Sequence, residues 1–137
     1  MGPLPRMPAD PARAPITILM ATWQGARHLR DQLASLAAQT DRDWQLWVSD
    51  DGSRDATCAI VTEFSSHHPV RLLHGPQKGA AQNFLSLLTH PDLPAGPVAF
   101  ADQDDVWLPG KLARARSCLA ALPPDQPALY AAASRLV

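Results

Sequence analysis

Short apolar runs alternate along this chain with segments in which apolar residues recur at helical spacing. The apolar runs lie at 16–20, 46–48, 70–74 and 98–101. Between the first two of them, Leu29, Leu33 and Leu36 recur at spacings of four and three. Continuous apolar runs are typical of strands buried on both faces, and the intervening spacing is that of one face of a helix. The pattern therefore predicts an α/β fold, a mostly parallel sheet with flanking crossover helices.

The helix positions follow from the same spacing and from the residues that stop or start helices. The predicted helices span about 26–38, a segment through Ile60 and Phe64, a segment after Gly79, and a segment from Pro109 to Pro123. Ser53 is predicted to cap the second helix and Pro109 to lie in the first turn of the fourth.

The two ends of the chain differ from its middle. Residues 1–11 contain four prolines, so we expect residues 1–14 to be a disordered Pro-rich lead-in. A last apolar piece at 128–131 is predicted to begin a further strand. We therefore expect a domain at 15–137 that is incomplete on its C-terminal side.

Composition narrows the classes of partner. The 137 residues carry a formal net charge of −1, which gives no electrostatic reason to expect a nucleic acid as partner. The apolar stretches fall far short of the roughly 20 residues that span a bilayer, so no transmembrane segment is predicted. Cys58 and Cys118 lie in predicted helices without metal-ligand spacing. They are interpreted as reduced packing residues of a cytoplasmic protein.

The acidic segment 102–105 is the strongest candidate for chemistry. Asp102, Asp104 and Asp105 follow the fourth apolar run directly. In an extended segment, Asp102 and Asp104 point the same way and can converge on Mg²⁺ or Mn²⁺, which would leave positions open for a phosphorylated substrate. The alternative is a solvated loop or a cap for the next helix. The metal-binding interpretation is favoured if polar clusters at other strand ends lie at the same edge of the sheet.

Polar clusters also follow the first and second strands, and parallel strands bring such ends to one edge of the sheet. Asp50 and Asp51 stand before Gly52-Ser53, a pattern that suits either a turn or a carboxylate that accepts a hydrogen bond from a nucleobase imide or a ribose hydroxyl. Trp23, after the first strand, can cover a base, although core packing is the more usual role of a tryptophan. Lys78 precedes the third helix, where backbone N–H groups favour an anion.

Four segments in register then carry a resemblance to a known family. They are 16–25 (ITILMATWQG), 36–40 (LAAQT), 47–53 (WVSDDGS) and 102–109 (DQDDVWLP). Together they resemble the successive motifs of family 2 inverting glycosyltransferases, most of all rhamnosyltransferase-like members that act in cell-surface polysaccharide synthesis. The resemblance implies a Rossmann-like GT-A fold, a nucleotide-diphospho-sugar donor, a saccharide or lipid-linked acceptor, and a divalent metal held by a D-x-D motif.

The resemblance also implies roles for individual residues. Asp51 would touch the nucleobase, and Ala21, Thr22 and Trp23 would line the base and ribose. Lys78 would reach towards the base. Asp102 would lie on the ribose side of the D-x-D motif, with Asp104 as the direct metal ligand. The family's usual tyrosine-asparagine pair stands here as Trp23-Gln24.

Three functions follow from these patterns. The first is glycosyl transfer with inversion, whose catalytic base we expect beyond Val137, by a cytoplasmic protein for which a peripheral position at the inner face of the membrane stays open. The second is a nucleotide-sugar-binding fragment without turnover. The third, a phospho-signalling receiver, is disfavoured because receivers place an acidic pair after the first strand, where this chain has Thr22-Trp23.

Overall fold

The structure is a computed structural model that describes residues 14–102 and 106–121. Within them, strands and helices alternate strictly along the chain. The elements are β1 (Ile16–Thr22), α1 (Ala26–Ala37), β2 (Trp44–Asp50), α2 (Thr57–Ser65), β3 (Val70–His74), α3 (Ala80–Leu88), β4 (Val98–Asp102) and α4 (Lys111–Ala120).

The four strands form one parallel sheet in the order β3-β2-β1-β4. The chain moves outwards from β1 through β2 to β3 and then returns to the other side of β1 for β4. The direction of winding therefore reverses between β1 and β4, and ligands of open α/β sheets bind at such a switch point, outside the carboxyl ends of the strands. Ala21 pairs with Asp102 in the ladder at this position.

Helices cover both faces of the sheet. Side chains of α1, α2 and α4, among them Leu29, Val61 and Leu112, pack with Ile18 and Val48 against one face. On the opposite face, Leu87 of α3 packs with Leu19, Trp47 and Val98. The predicted α/β class, with a parallel sheet between flanking helices, is confirmed.

The ends of several elements differ from the prediction. Strands β1, β2 and β4 each extend further at their carboxyl ends, so that Thr22, Asp50 and Asp102 are ladder residues. Ser53 does not cap α2, because that helix begins at Thr57 and the Ser53 hydroxyl donates to Asp50 instead. Pro109 precedes α4 and does not lie in its first turn.

Two predictions about packing also need correction. Cys118 lies in α4 but is exposed, so it is not a packing residue, whereas Cys58 of α2 is half-buried. Ala14 is buried, and its carbonyl accepts a hydrogen bond from Arg116 at 2.7 Å, so it does not belong to a disordered lead-in. Residues 1–13 and the strand predicted at 128–131 lie outside the described residues.

The segment that follows the acidic residues 102–105 is fixed to the end of α1 by hydrogen bonds. The buried Gln39 amide donates to the carbonyl of Leu108 at 2.8 Å and accepts from the N–H of Leu112 at 3.0 Å. The Ser35 hydroxyl accepts from the N–H of Trp107 at 3.0 Å, and the Trp107 side chain is buried in the core. In the part of the chain that is described, none of the helices is both long and apolar enough to cross a bilayer.

Candidate nucleotide-binding site

A cavity of about 630 Å³ opens at the switch point, at the carboxyl ends of the strands. Its walls come from the ends of β1, β2 and β4 and from the start of α3. The lining residues are Ala21, Thr22, Trp23, Asp51, Gln77, Gly79, Ala80, Asn83, Phe84 and Asp102. The sheet therefore brings five of the predicted site residues, Ala21, Thr22, Trp23, Asp51 and Asp102, to one place.

The two adjacent carboxylates at the end of β2 have different environments. Asp50 is 2% exposed; its Oδ1 accepts from the Thr22 hydroxyl at 2.8 Å, and its Oδ2 accepts from the Ser53 N–H at 2.8 Å. Burial by itself would raise the pKa of Asp50, but the hydrogen bonds from Ser53 and Thr22 outweigh it and hold the pKa below its ordinary value. Asp50 therefore stabilises the turn after β2, which is one of the two roles that the sequence predicted for the Asp50-Asp51 pair.

The same carboxylate changes the chemistry of the neighbouring thiol. Burial raises the pKa of Cys58 to about 11, and the hydrogen bond and negative charge of Asp50 act in the same direction. A thiol that stays protonated at neutral pH is a weak nucleophile. Cys58 thus has a structural role, as a hydrogen-bond partner of Asp50 at the end of β2.

Asp51 faces the cavity and is 9% exposed. Its backbone N–H donates to the carbonyl of Thr22 at 2.9 Å, which ties it to the end of β1. Its Oδ1 accepts from the backbone N–H of Gln77 at 2.5 Å. Asp51 is therefore held in place from both sides and still lines the cavity.

The β1–α1 and β2–α2 loops are locked together through Gln24. This residue has φ of +52°, in the left-handed region that few residues other than glycine adopt. Its N–H donates to the Ser53 hydroxyl at 2.8 Å, and its Oε1 accepts from the N–H of Arg54 at 2.6 Å. These hydrogen bonds compensate for the strained backbone, and they fix Trp23 and Asp51 relative to each other.

Asp55 caps both helices at this junction. Its Oδ2 accepts from the N–H of Ala26 at the start of α1, and its Oδ1 accepts from the N–H of Thr57 at the start of α2. The hydrogen bond from the Thr57 side chain is the main reason why the pKa of Asp55 is lowered. One carboxylate thus satisfies N-terminal donors of two helices.

Trp23 does not pack in the core, the role that its residue type favoured. It is 60% exposed and lines the cavity. The physical reason is its position: it follows Thr22, the last residue of β1, so it stands above the sheet edge and not between sheet and helix. The position agrees with the other possibility, an aromatic ring beside a bound base.

The predicted metal ligands are described only in part. Asp102 is the last residue of β4, is exposed and lines the cavity; Asp104 lies outside the described residues. Among residues 14–102 and 106–121, no group of three His, Cys, Asp or Glu side chains is close enough to hold a metal ion. An exposed carboxylate that lines the cavity still fits one ligand position of Mg²⁺ or Mn²⁺, which keep several positions for water and phosphate.

Lys78 is exposed, and the cavity is lined by its neighbours Gln77 and Gly79 but not by Lys78 itself among the described residues. Gln77, Asn83 and Phe84 also line the cavity but were not among the predicted site residues. They line the cavity because the β3–α3 loop folds over the end of β2, where Asn83 donates from Nδ2 to the carbonyl of Ser49 at 2.8 Å. The sequence signal that could have indicated Asn83 is an amide side chain in the first turn of the helix predicted after Gly79.

A parallel sheet whose polar loops surround a cavity at the switch point is the arrangement in which open α/β proteins bind their ligands. The chain belongs to glycosyl transferase family 2, whose family model matches residues 17–126. The resemblance identified from the four segments is thereby confirmed.

Two curated relatives are similar over most of this chain. The dTDP-rhamnosyl transferase RfbG of Shigella flexneri is 37% identical over 105 residues, which is 73% of this chain and 36% of the relative. The Escherichia coli enzyme WfgD, a UDP-Glc:alpha-D-GlcNAc-diphosphoundecaprenol beta-1,3-glucosyltransferase, is 32% identical over 97 residues, 71% of this chain and 38% of the relative. The chain therefore spans somewhat more than a third of the length of these relatives.

The fold is also found in solved structures. The mannosyltransferase PcManGT from Pyrobaculum calidifontis, solved in complex with GDP-Man and Mn²⁺, superposes with a TM-score of 0.67 at 25% identity, over 83% of this chain and 35% of that one. The predicted GT-A fold is confirmed by this likeness.

Proposed function

We propose that this chain forms the donor-binding part of an inverting glycosyltransferase, which moves a sugar from a nucleotide-diphospho-sugar to an acceptor hydroxyl. The observation that carries the proposal is the cavity at the switch point, where a fixed carboxylate, Asp51, and an exposed one, Asp102, face the same space. Both kinds of group suit a nucleotide sugar: an acceptor for its base and a carboxylate that can bind a metal beside its diphosphate.

In this proposal each predicted residue has a role that suits its position. Ala21, Thr22 and Trp23 line the base and ribose, with the exposed Trp23 ring beside the base. Asp51 accepts a hydrogen bond from the base. Lys78, on the loop that borders the cavity, adds positive charge near the nucleotide.

Asp102, together with Asp104, would hold Mg²⁺ or Mn²⁺ at the diphosphate. A bound divalent cation would neutralise the charge that develops on the leaving diphosphate. The chain's own contribution is to fix Asp102 in the β4 ladder opposite Ala21, so that its carboxylate is presented at the rim of the cavity.

The relatives support a more specific function for the protein. RfbG is named for a dTDP-rhamnosyl donor and WfgD for a lipid-linked diphospho-sugar acceptor. We therefore propose a role in cell-surface polysaccharide synthesis, with a saccharide or lipid-linked acceptor. The protein would act in the cytoplasm, at the inner face of the membrane when the acceptor is a lipid.

Titration calorimetry of the purified chain with a nucleoside diphosphate tests the proposal. We expect tighter binding with Mn²⁺ than with a chelator, because a cation lets Asp102 and Asp104 tolerate the diphosphate. Asp104→Ala should remove most of this difference, whereas Asp92→Ala, which changes an exposed carboxylate paired with Arg71, should retain it. Equal binding by the wild-type chain with Mn²⁺ and with chelator would refute the metal assignment.

A second candidate is nucleotide-sugar binding without turnover. The observation that favours it is that the groups assigned at the cavity, among the described residues, bind the donor, and none of them is assigned the removal of the proton from the acceptor hydroxyl. Sugar transfer or donor hydrolysis, measured in the same preparation that binds the nucleotide, separates the two candidates.

A further inference from the structure

Gln32 is a buried amide whose side chain makes no hydrogen bond within the described residues. It lies in the middle of α1 and is 0% exposed, and neither Oε1 nor Nε2 has a partner there. A buried polar group without a partner bears its full desolvation cost, so an apolar side chain of the same size would be more favourable at this position. Packing alone therefore gives no reason for an amide here.

Gln39 shows what the same type of side chain does when it has partners. It follows the end of α1 and is also buried, but both of its polar atoms are used. Its Nε2 donates to the carbonyl of Leu108, and its Oε1 accepts from the N–H of Leu112. A buried amide on this side of α1 thus holds the segment that joins β4 to α4.

The order of the contacts shows which part of that segment lies towards Gln32. Ser35 accepts from the N–H of Trp107 at 3.0 Å, whereas Gln39, four residues later in the chain, contacts positions after Trp107. The Ser35 hydroxyl also donates to the carbonyl of Gln32 at 2.6 Å. Residues three and four apart lie on the same face of a helix, so Gln32 continues this row towards the start of α1. The segment continues in the same direction from Trp107 towards Asp102.

Both directions lead to the edge of the sheet that carries the cavity. α1 begins after the loop that follows β1, and Asp102 lines the cavity at the end of β4. The next positions of the segment in this direction are those between Asp102 and Trp107, where the sequence has Asp104 and Asp105. The N–H groups of an amide make strong, charge-assisted hydrogen bonds to carboxylates.

The Trp107 side chain has the same property as Gln32. It is buried in the core, and its Nε1 donor has no partner within the part of the chain that is described. Its backbone N–H, by contrast, is bonded to Ser35. The contact between α1 and the segment after β4 thus includes two buried side chains whose hydrogen-bonding capacity is unused.

We propose that Gln32 is a positioning residue for the metal-binding carboxylates. Its amide donates to the segment between Asp102 and Trp107 when a divalent cation and a diphosphate are bound, and Gln32 itself touches neither of them. A carboxylate that binds a cation through one oxygen has a second oxygen that can accept a hydrogen bond, and that bond fixes its direction. The inference rests on the proposed function, since it takes Asp102 and Asp104 to hold the cation.

Gln32→Met separates a positioning role from a structural one. Methionine is unbranched and favours a helix about as well as glutamine, but it has no N–H to donate. Because the change removes an unpartnered amide from the core, we expect the urea midpoint in chelator to equal or exceed that of the wild-type chain. In calorimetry, we expect the enhancement of UDP binding by Mn²⁺ to fall about tenfold, as for the loss of one hydrogen bond to a charged group. The affinity for UDP in chelator should not change.

Gln45→Met is the matched control. The Gln45 amide is partly buried near the start of β2, where it donates to the Thr17 hydroxyl at 3.3 Å. This variant should keep the full enhancement of UDP binding by Mn²⁺. If it loses the enhancement as well, the effect is not specific to Gln32 and the inference is wrong.

The remaining outcomes separate this inference from the proposed function. If Gln32→Met keeps the enhancement, or if its urea midpoint falls below that of the wild-type chain, Gln32 is a structural residue and the proposed function stands. If the wild-type chain binds UDP equally with Mn²⁺ and with chelator, the metal assignment and this inference are both overturned.

Discussion

The ends of β2 and β4 both present carboxylates to the cavity, but they do so in opposite ways. At the end of β2, Asp50 and Asp51 are buried and held by hydrogen bonds from Thr22, Ser53 and Gln77. At the end of β4, Asp102 is exposed. A group that distinguishes one base from another needs a fixed geometry, whereas a group that binds a hydrated cation must be reachable from solvent.

The position of each strand explains the difference. β2 lies between β3 and β1, so loops from both neighbours close over its end. β4 pairs with β1 alone within the described residues, and Asp102 at its end is exposed. The comparison predicts that substitutions at the end of β2 act on stability, while substitutions at the end of β4 act on metal-dependent binding.

The largest expected effect on stability comes from Asp50→Ala. The change leaves the Thr22 hydroxyl and the Ser53 N–H without their acceptor in a buried place, which should cost about 3 kcal/mol of unfolding free energy. Asp102→Ala, at an exposed position, should cost less than about 1 kcal/mol. Urea unfolding at pH 7 measures both.

The same two variants should behave in reverse when binding is measured. Asp102→Ala should lose the enhancement of nucleoside diphosphate binding by Mn²⁺, whereas folded Asp50→Ala should keep it. The comparison fails if Asp102→Ala destabilises the protein as much as Asp50→Ala does.

A smaller effect is expected at Gln24, which joins the β1–α1 and β2–α2 loops beside the end of β2. Gln24→Ala removes the acceptor of the Arg54 N–H but keeps the strained φ, so we expect a loss of about 1 kcal/mol in stability and a weaker affinity for the nucleoside part of the ligand. Calorimetry with uridine and with UDP shows whether the loss lies in the nucleoside. Gln45→Ala, at an amide that donates to the Thr17 hydroxyl near the other edge of the sheet, should not change binding.

The strands and helices could be predicted from the sequence because each is indicated by residues that are close together in the chain. Each strand is a short apolar run and each helix has a clear apolar stripe, so their order could be derived without the structure. The exact ends could not, because Thr22, Asp50 and Asp102 are polar and join the ladder only through pairing with neighbouring strands.

The site was predictable in part for the same reason. Asp51 and Asp102 were found because they follow strands whose carboxyl ends share one edge. For Trp23, residue type favoured core packing, which its exposure contradicts, whereas the resemblance to the family implied a place beside the base and ribose. Gln77 was missed because nothing local in the sequence indicates that its N–H meets Asp51, a contact between residues 26 positions apart.

The smallest effect, and the one most specific to the end of β2, is on the pH dependence of stability. The folded pKa of Asp50 is lowered below its ordinary value, so its contribution is fully present above the unfolded pKa, about pH 4. It is lost as the pH falls through the folded pKa, because protonation then weakens the hydrogen bonds from Ser53 and Thr22.

The stability of the protein should therefore decrease below about pH 4. Asp50→Asn should show a shallower decrease between pH 5 and pH 2, because it lacks the carboxylate that the folded state holds ionised. Asp41, whose pKa is also lowered through its pairing with Arg116 despite burial, should keep part of the slope in that variant. Urea unfolding of both proteins across this range measures the two slopes, and parallel slopes would mean that Asp50 is not the group that the folded structure holds ionised.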